Sequence, residues 1–240
     1  MTRADVALAE RGLFESRAKA REAILAGLVS VEGRVIAKPS ERIASDANII
    51  ARAPYPWVSR GGVKLAHGLD VFGVDPMGRY CLDIGASTGG FTDVLRARGA
   101  RHVVAVDVGH GQLHERLARD SRVKSLEGLD ARALVPAHLV ERPSLIVIDA
   151  SFISLSLILP NVLSLASKRA ELVALIKPQF EAGRAAVKKG IVSDEAIHAD
   201  VCARITAKIE DLGWRNEGLT QSPIEGGDGN REFLICARRP

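Results

Sequence analysis

From residue 80 onward, short continuous apolar runs recur between helical patterns, and few folds accept such a chain. The runs are Tyr80–Ile84, His102–Val108, Val123–Leu126, Leu145–Asp149 and Leu172–Lys177. Unbroken Val/Ile/Leu runs of this length read as strands buried on both faces, which requires helices above and below a parallel sheet. One covering helix is predicted over Glu195–Leu212, where Ile197, Val201, Ile205, Ile209 and Leu212 keep helical spacing. Two last strands, Glu217–Gln221 and Glu232–Ala237, have no helix between them and are therefore expected to pair antiparallel. The expected fold class is α/β: a Rossmann-like sheet with an antiparallel end strand. Aromatic residues make up only 4% of the chain, which suits helices on a sheet better than an aromatic-rich sandwich.

Residues 51–60 hold Pro54 and Pro56 and interrupt regular structure, so the chain is expected to form two domains, 1–58 and 59–240. The first reads as a small α+β unit. A short helix runs from Asp5 to Gly12, a second is capped by Ser16 and continues through Leu25, and a hairpin joins Val29–Val31 to Arg34–Ile36 across Glu32-Gly33. The first sixty residues carry ten basic and seven acidic side chains, whereas the whole chain has a net charge of +4. A nucleic-acid footprint is expected to start here. By pattern alone, Arg17, Lys19 and Arg21 read as a solvated helix face. Cys81, Cys202 and Cys236 are widely spaced without a C-x-x-C, so they read as buried thiols of a cytoplasmic protein and not as a disulfide frame or metal site. The N-terminus lacks the apolar core of a signal peptide, and no stretch reaches the ~18 apolar residues of a membrane span. No stable membrane association is expected.

Leu82-Asp83-Ile84-Gly85-Ala86-Ser87-Thr88-Gly89-Gly90-Phe91 leaves a strand and enters a helix, a turn that brings backbone close to a ligand at a helix N-terminus. Its spacing is not Gly-x-Gly-x-x-Gly, and it lacks the Gly-Lys-Ser/Thr of a phosphate-cradling loop. An acid before the first glycine suits a ligand with a cationic amino-acid tail. Asp107 ends the next strand, where a carboxylate can accept both hydroxyls of an adenosine ribose. Val108, Gln112 and Leu113 follow it, and Asp130-Ala131 comes after the third strand, where Asp130 can accept from an adenine amino group. The order of these features favours S-adenosylmethionine (SAM) over NAD. His110 and His114 flank the expected adenosine site, and nothing in their spacing indicates a metal.

Two lysines and two carboxylates are expected to converge at the carboxyl edge of the sheet, where open α/β folds bind ligands. Asp149 and Lys177 end their strands, Glu232 begins the antiparallel one, and Lys64 lies in the helix before the first strand.

The motifs Asp83–Asp93, Asp107–Leu113, Asp149-Ala-Ser-Phe-Ile-Ser-Leu155 and Leu175-Ile-Lys-Pro-Gln-Phe-Glu181 closely resemble the TlyA family of ribosomal-RNA ribose methyltransferases, some of which carry the label hemolysin. Ser59–Leu65 and Gly227–Leu234 fit the same family, and residues 1–50 resemble the alpha-L RNA-binding module of a ribosomal protein. The resemblance implies a class I methyltransferase sheet, SAM as cofactor, a cytidine 2′-hydroxyl as acceptor, and ribosomal RNA or a ribosomal subunit, not DNA, as partner. Lys64, Asp149, Lys177 and Glu232 look like the Lys-Asp-Lys-Glu tetrad of FtsJ-like ribose methyltransferases. Lys177 would orient and deprotonate the hydroxyl, with Asp149 and Glu232 holding the lysines. Asp83, Gly85, Ala86, Ser87, Thr88, Gly89, Gly90, Phe91, Asp107, Val108, Gln112, Leu113, Asp130, Ala131 and Asp149 would line the cofactor.

RNA contacts are expected from Arg3, Arg17, Lys19, Arg21 and Arg60, from Phe152 and Phe180 stacking on a splayed base, and from the loop carrying Arg184, Lys188 and Lys189. Shorter family members resemble this chain and act on the large subunit, which makes that the expected target. Competing readings are a Rossmann oxidoreductase, disfavoured by the glycine spacing, and a membrane-lytic protein, disfavoured because the clearest helix packs a core.

Overall fold

A computed structural model describes residues 1–183, 186–227 and 229–240. The chain folds as two compact units, Met1–Pro56 and Trp57–Pro240.

In the first unit, strand β1 (Thr2–Arg3) leads into helix α1 (Ala4–Glu10), followed by α2 (Arg17–Leu25), β2 (Val29–Val31), β3 (Arg34–Val35), β4 (Arg42–Ile43) and β5 (Ile49–Ala51). Ser16 caps α2, its hydroxyl accepting from the Lys19 amide at 3.3 Å. β2 and β3 form the expected hairpin, and β5 adds on the other side of β2. The β1–β4 pair and β5 escaped sequence reading because two- and three-residue strands are too short to show a period of two. α1 stops at Glu10, short of Gly12, and the Arg11 guanidinium turns onto the carbonyls of Ala47 and Ala44 at 2.7 and 3.1 Å. Leu8, Phe14, Ile24, Val29 and Ile36 lie at the centre of the unit's core.

The second unit contains α3 (Gly61–Phe72), β6 (Tyr80–Ile84), α4 (Gly90–Ala97), β7 (His102–Asp107), α5 (Glu115–Ala118), β8 (Val123–Glu127), β9 (Leu145–Ile148), α6 (Leu155–Ser164), β10 (Glu171–Ile176), α7 (Pro178–Glu181), α8 (Glu195–Asp211), β11 (Arg215–Gln221) and β12 (Phe233–Arg238). Its seven strands form one sheet in the order β11-β12-β10-β9-β6-β7-β8. β6 to β10 run parallel, and β12 lies antiparallel between β10 and β11.

Alternation along the strands sorts the two faces. Leu82, Ile84, Ile146 and Ile148 pack with α6 and α8. Cys81, Leu145, Val147 and Val173 pack with α3 and α4. Each fully buried Leu or Ile contributes ~1.5–3 kcal/mol, so both helical layers are held chiefly by this apolar burial. All three cysteines are free and buried. No helix among the described residues is long and apolar enough to cross a membrane.

Two boundary details position the site. β9 and β10 end one residue earlier than the apolar runs suggest, so Asp149 and Lys177 are the first residues beyond the strands. Phe233 pairs with Ile176, which puts Glu232, just before β12, at the same edge as Lys177.

Candidate active site

The loop after β6 turns on Gly85 (φ +79°) and Gly89 (φ +95°) before α4 begins. Gly85 is required twice over. Its φ is left-handed, and a Cβ there would stand 2.6 Å from the Asp149 carbonyl oxygen. The Gly85 and Ala86 amides donate to the Val106 carbonyl at 2.9 and 3.1 Å, and the Ser87 amide donates to Asp107 Oδ2 at 2.8 Å. The other Asp107 oxygen accepts from Gly109 N at 2.8 Å. A carboxylate offers about four acceptor directions, so Asp107 can brace both loops and still receive ribose hydroxyls.

Beside this loop lies a cavity of about 650 Å³, whose walls include Asp107, Val108, Gln112, Asp130, Ala131 and Phe152. A smaller one of about 270 Å³ is lined by Ala86, Thr88, Gly90 and Phe91 together with Lys64 and Lys177. Gly85, Ser87, Asp149 and Ser151 belong to both. The pair fits SAM: the larger has the volume of a small-molecule site with a carboxylate for ribose, and the smaller is a polar compartment beside the lysines.

Several expected residues sit elsewhere. Gly89 and Leu113 are not in the cavity walls, because a Cβ at Gly89 would collide with the Leu113 and Leu117 side chains that cover it. Asp130 is at the wall, but its carboxylate is engaged by the Arg132 guanidinium, at 2.6 Å in the closest contact, and by the Arg132 amide at 2.8 Å. The Arg132 hydrogen bonds hold its pKa below the ordinary carboxylate range. His114 caps α5, accepting from Arg116 N at 3.1 Å.

Glu127 escaped sequence reading. At the end of β8 it accepts from three successive amides, Gly111, Gln112 and Leu113, at 2.7, 2.9 and 3.1 Å. These bonds hold its pKa low and fix the loop that carries Gln112. The rule that selected Asp107, an acid ending a strand at the carboxyl edge, could have found it.

Asp83 lies behind the loop and is fully buried. Its Oδ2 accepts the Thr92 hydroxyl at 2.6 Å, while Oδ1 has no partner. Burial pushes its pKa up to about 7, with the Asp149 and Asp107 charges adding to the rise and the Thr92 bonds opposing it. Between the usual ~4 and about 7, the folded protein keeps a proton that the unfolded chain has lost. Stability therefore falls as pH rises through that window and levels off above it. Asp83→Asn stays neutral and keeps an acceptor for Thr92. Its melting temperature relative to wild type is expected to climb from pH 5 to pH 8 in parallel melts, and a pH-independent difference would refute this titration.

At the carboxyl edge, the four expected residues form two ion pairs. Lys64 Nζ meets Glu232 Oε2 at 2.5 Å, and Lys177 Nζ meets Asp149 Oδ1 at 2.6 Å. Lys177 also donates to Ser151 Oγ at 2.7 Å, a partner absent from the sequence reading. Lys64, Lys177 and Asp149 face the smaller cavity, while Glu232, 2% exposed, lies behind Lys64 against Gly226. Two lysines held at 8% exposure, each against a carboxylate, are costly to bury without a purpose.

Phe152 is 90% exposed, with φ at +64°, and its ring centroid lies 5.0 Å from that of Phe180. Lys188 and Ile191 form an antiparallel bridge around Lys189-Gly190, and Asn230 ties this turn down through Val192 N (3.0 Å) and the Gly190 carbonyl (2.8 Å). Arg184 lies outside the described residues. Arg60 donates to the Glu225 carbonyl at 2.8 Å. In the first unit, Arg3 and Arg17 both pair with the buried Asp5, and Lys19 pairs with Glu15, so part of this basic face is internally compensated. Arg21 is exposed on α2.

Comparison with known proteins gives concordant matches. Residues 57–239 match the model of the FtsJ-like methyltransferase family, and residues 2–49 match that of the S4 domain. The 16S/23S rRNA (cytidine-2′-O)-methyltransferase TlyA of Mycobacterium tuberculosis is 43% identical over 98% of this chain and 89% of its own length. The 23S rRNA (cytidine-2′-O)-methyltransferase TlyA of Campylobacter jejuni is 36% identical over 74% of this chain and 69% of its own. A solved structure from Streptococcus thermophilus, described as a hemolysin, is 43% identical and superposes with a TM-score of 0.79, covering 98% of this chain and 87% of that one.

Proposed function

Because the chain belongs to the TlyA family of FtsJ-like methyltransferases, we propose that it methylates the 2′-hydroxyl of a cytidine ribose in ribosomal RNA, with SAM as the donor. The observation that carries this reading is the pair of lysine–carboxylate contacts opening on a polar cavity beside the glycine loop. Bound SAM supplies an electrophilic methyl group on a sulfonium.

The chain's own residues do the rest. Asp107 and Gln112 hold the adenosine, with Glu127 fixing the loop beneath. A ribose hydroxyl is a poor acid and needs a base near the transition state. Lys177, as the neutral amine, takes that proton and becomes the ammonium that Asp149 balances, and Asp149 and Ser151 aim it. Lys64, braced by Glu232, adds positive charge where the oxygen becomes anionic. Phe152 and Phe180 offer a stacking face to the displaced base, and Lys188 and Lys189 meet backbone phosphate. Arg3, Arg17, Lys19, Arg21 and Arg60 extend the phosphate footprint, and the S4-type unit supplies most of it, which implies two working domains with their boundary near residue 58.

Both named rRNA methyltransferase relatives carry 23S in their descriptions, which supports the large ribosomal subunit as target, in the compartment where ribosomes assemble. The test is transfer of labelled methyl from SAM to purified large and small subunits. Label is expected in large-subunit RNA, in an alkali-resistant dinucleotide containing 2′-O-methylcytidine. Label in a base, or none in RNA, would refute the reaction. Label confined to the small subunit would refute the choice of target.

A further inference from the structure

The segment between Asp149 and α6 is held at its far end by a residue that none of the roles above uses. Glu181, the last residue of α7, accepts the Ser154 hydroxyl on Oε2 at 2.6 Å and the Leu155 amide on Oε1 at 2.7 Å. Ser154 is itself the cap of α6, its oxygen accepting from Ser156 N at 3.1 Å. The Glu181 carbonyl is in turn held by Arg204 of α8 at 3.2 Å. α7 is a single turn starting directly after Lys177, closed by Phe180 N to the Lys177 carbonyl (2.9 Å) and Ala182 N to the Pro178 carbonyl (2.8 Å). One carboxylate therefore joins the loop after β9 to the turn after β10.

Between these anchors stands Phe152, a bulky residue with φ at +64° and 90% of its surface in solvent. Neither property is favourable for a phenylalanine, and such strain persists only where surrounding structure enforces it. The loop's near end is fixed by Asp149, whose amide donates to the Ile84 carbonyl at 2.8 Å and whose carboxylate meets Lys177. Glu181 fixes the other end.

We propose that Glu181 is a positioning residue, clamping the loop after β9 to α7 so that Phe152 and Phe180 present one aromatic step for a nucleobase at a set distance from Lys177. This rests on the reading of Phe152 and Phe180 as a base-stacking face in RNA methyl transfer.

The test compares Glu181→Ala, Glu181→Gln, Phe152→Ala and the double variant Glu181→Ala/Phe152→Ala in methyl transfer to ribosomal large subunits at saturating SAM, with SAM affinity measured separately. Glu181→Ala is expected to lower kcat/KM for RNA ~10- to 100-fold, the scale of a small misplacement of reacting groups. SAM affinity should fall far less, because Phe152 is one wall residue among many in the larger cavity. Glu181→Gln should recover most of the activity, since its amide oxygen can accept from Leu155 N and its NH2 can donate to Ser154 Oγ. The double variant should be no worse than Phe152→Ala, because both changes remove the same step. Wild-type kcat/KM in Glu181→Ala, additive losses in the double variant, or an equal loss of SAM affinity would each overturn the proposal. If Glu181→Ala does not fold, Ser154→Ala removes the hydroxyl half of the link and leaves the Leu155 amide bond, so a smaller loss of kcat/KM is expected, and wild-type kcat/KM there would also overturn the proposal. Full activity in Phe152→Ala would instead sink the base-stacking reading.

Discussion

Lys177→Ala is expected to reduce methyl transfer to RNA ~10²- to 10⁴-fold, the range attributed to a positioned general base. The amine is presented by two fixed contacts, to Asp149 at 2.6 Å and Ser151 at 2.7 Å, and it reaches the polar cavity from the end of β10. SAM affinity should survive, because the walls of the larger cavity belong to other residues. Stability should change little: Asp149 loses its ion pair but keeps 21% of its side chain exposed, so water can solvate the freed carboxylate. Single-turnover transfer from labelled SAM, beside calorimetric SAM binding, separates these effects. Transfer at the wild-type rate would remove Lys177 from the chemistry, and parallel loss of SAM binding would reassign it to the cofactor.

Glu232→Ala should act on the fold as well. Glu232 is 2% exposed and Lys64 8%, so truncating the acid strands an ammonium in a site built for a pair. Breaking a buried pair from one side costs ~3–5 kcal/mol. At roughly 2–4 °C per kcal/mol for a unit of this size, the melting temperature should fall by about 6–20 °C. Replacing both partners, Lys64→Met with Glu232→Leu, removes the uncompensated charge and should recover most of that stability. The double variant should nevertheless stay inactive, because Lys64 faces the cavity. A double variant as unstable as the single one would show that the cost lies in packing and not in charge, and an active one would remove Lys64 and Glu232 from the mechanism.

Much of the scaffold could be read residue by residue. The apolar runs become β6 to β10, the helix over Glu195–Leu212 is α8 to within a residue, and Ser16 caps its helix. Each of these rests on a rule that acts over a few neighbouring positions: burial on both strand faces, helical spacing, an orphan amide needing an acceptor. The same locality explains what escaped. β1, β4 and β5 are too short to carry a pattern and exist only because the rest of the first unit brings them together. Asp130 reads as a free acceptor until the Arg132 guanidinium is seen folded onto it. Glu181 looks like an ordinary surface acid in the sequence, yet it receives an amide and a hydroxyl from the loop after β9, and the three amides that Glu127 receives come from a loop earlier in the chain.

Local pattern was enough to specify the parallel sheet, the glycine loop and the presence of two lysines and two acids at one edge, since strand direction decides which end of each run faces the ligand. It did not determine which lysine serves which acid. Glu232 lies 168 residues beyond Lys64, and their 2.5 Å contact exists because β12 inserts antiparallel beside β10 and delivers its first end to the carboxyl edge of the parallel strands. A side chain's charge is carried in its own residue. Its partner, its burial and therefore its chemistry depend on what the folded chain sets against it, and only tertiary structure decides that.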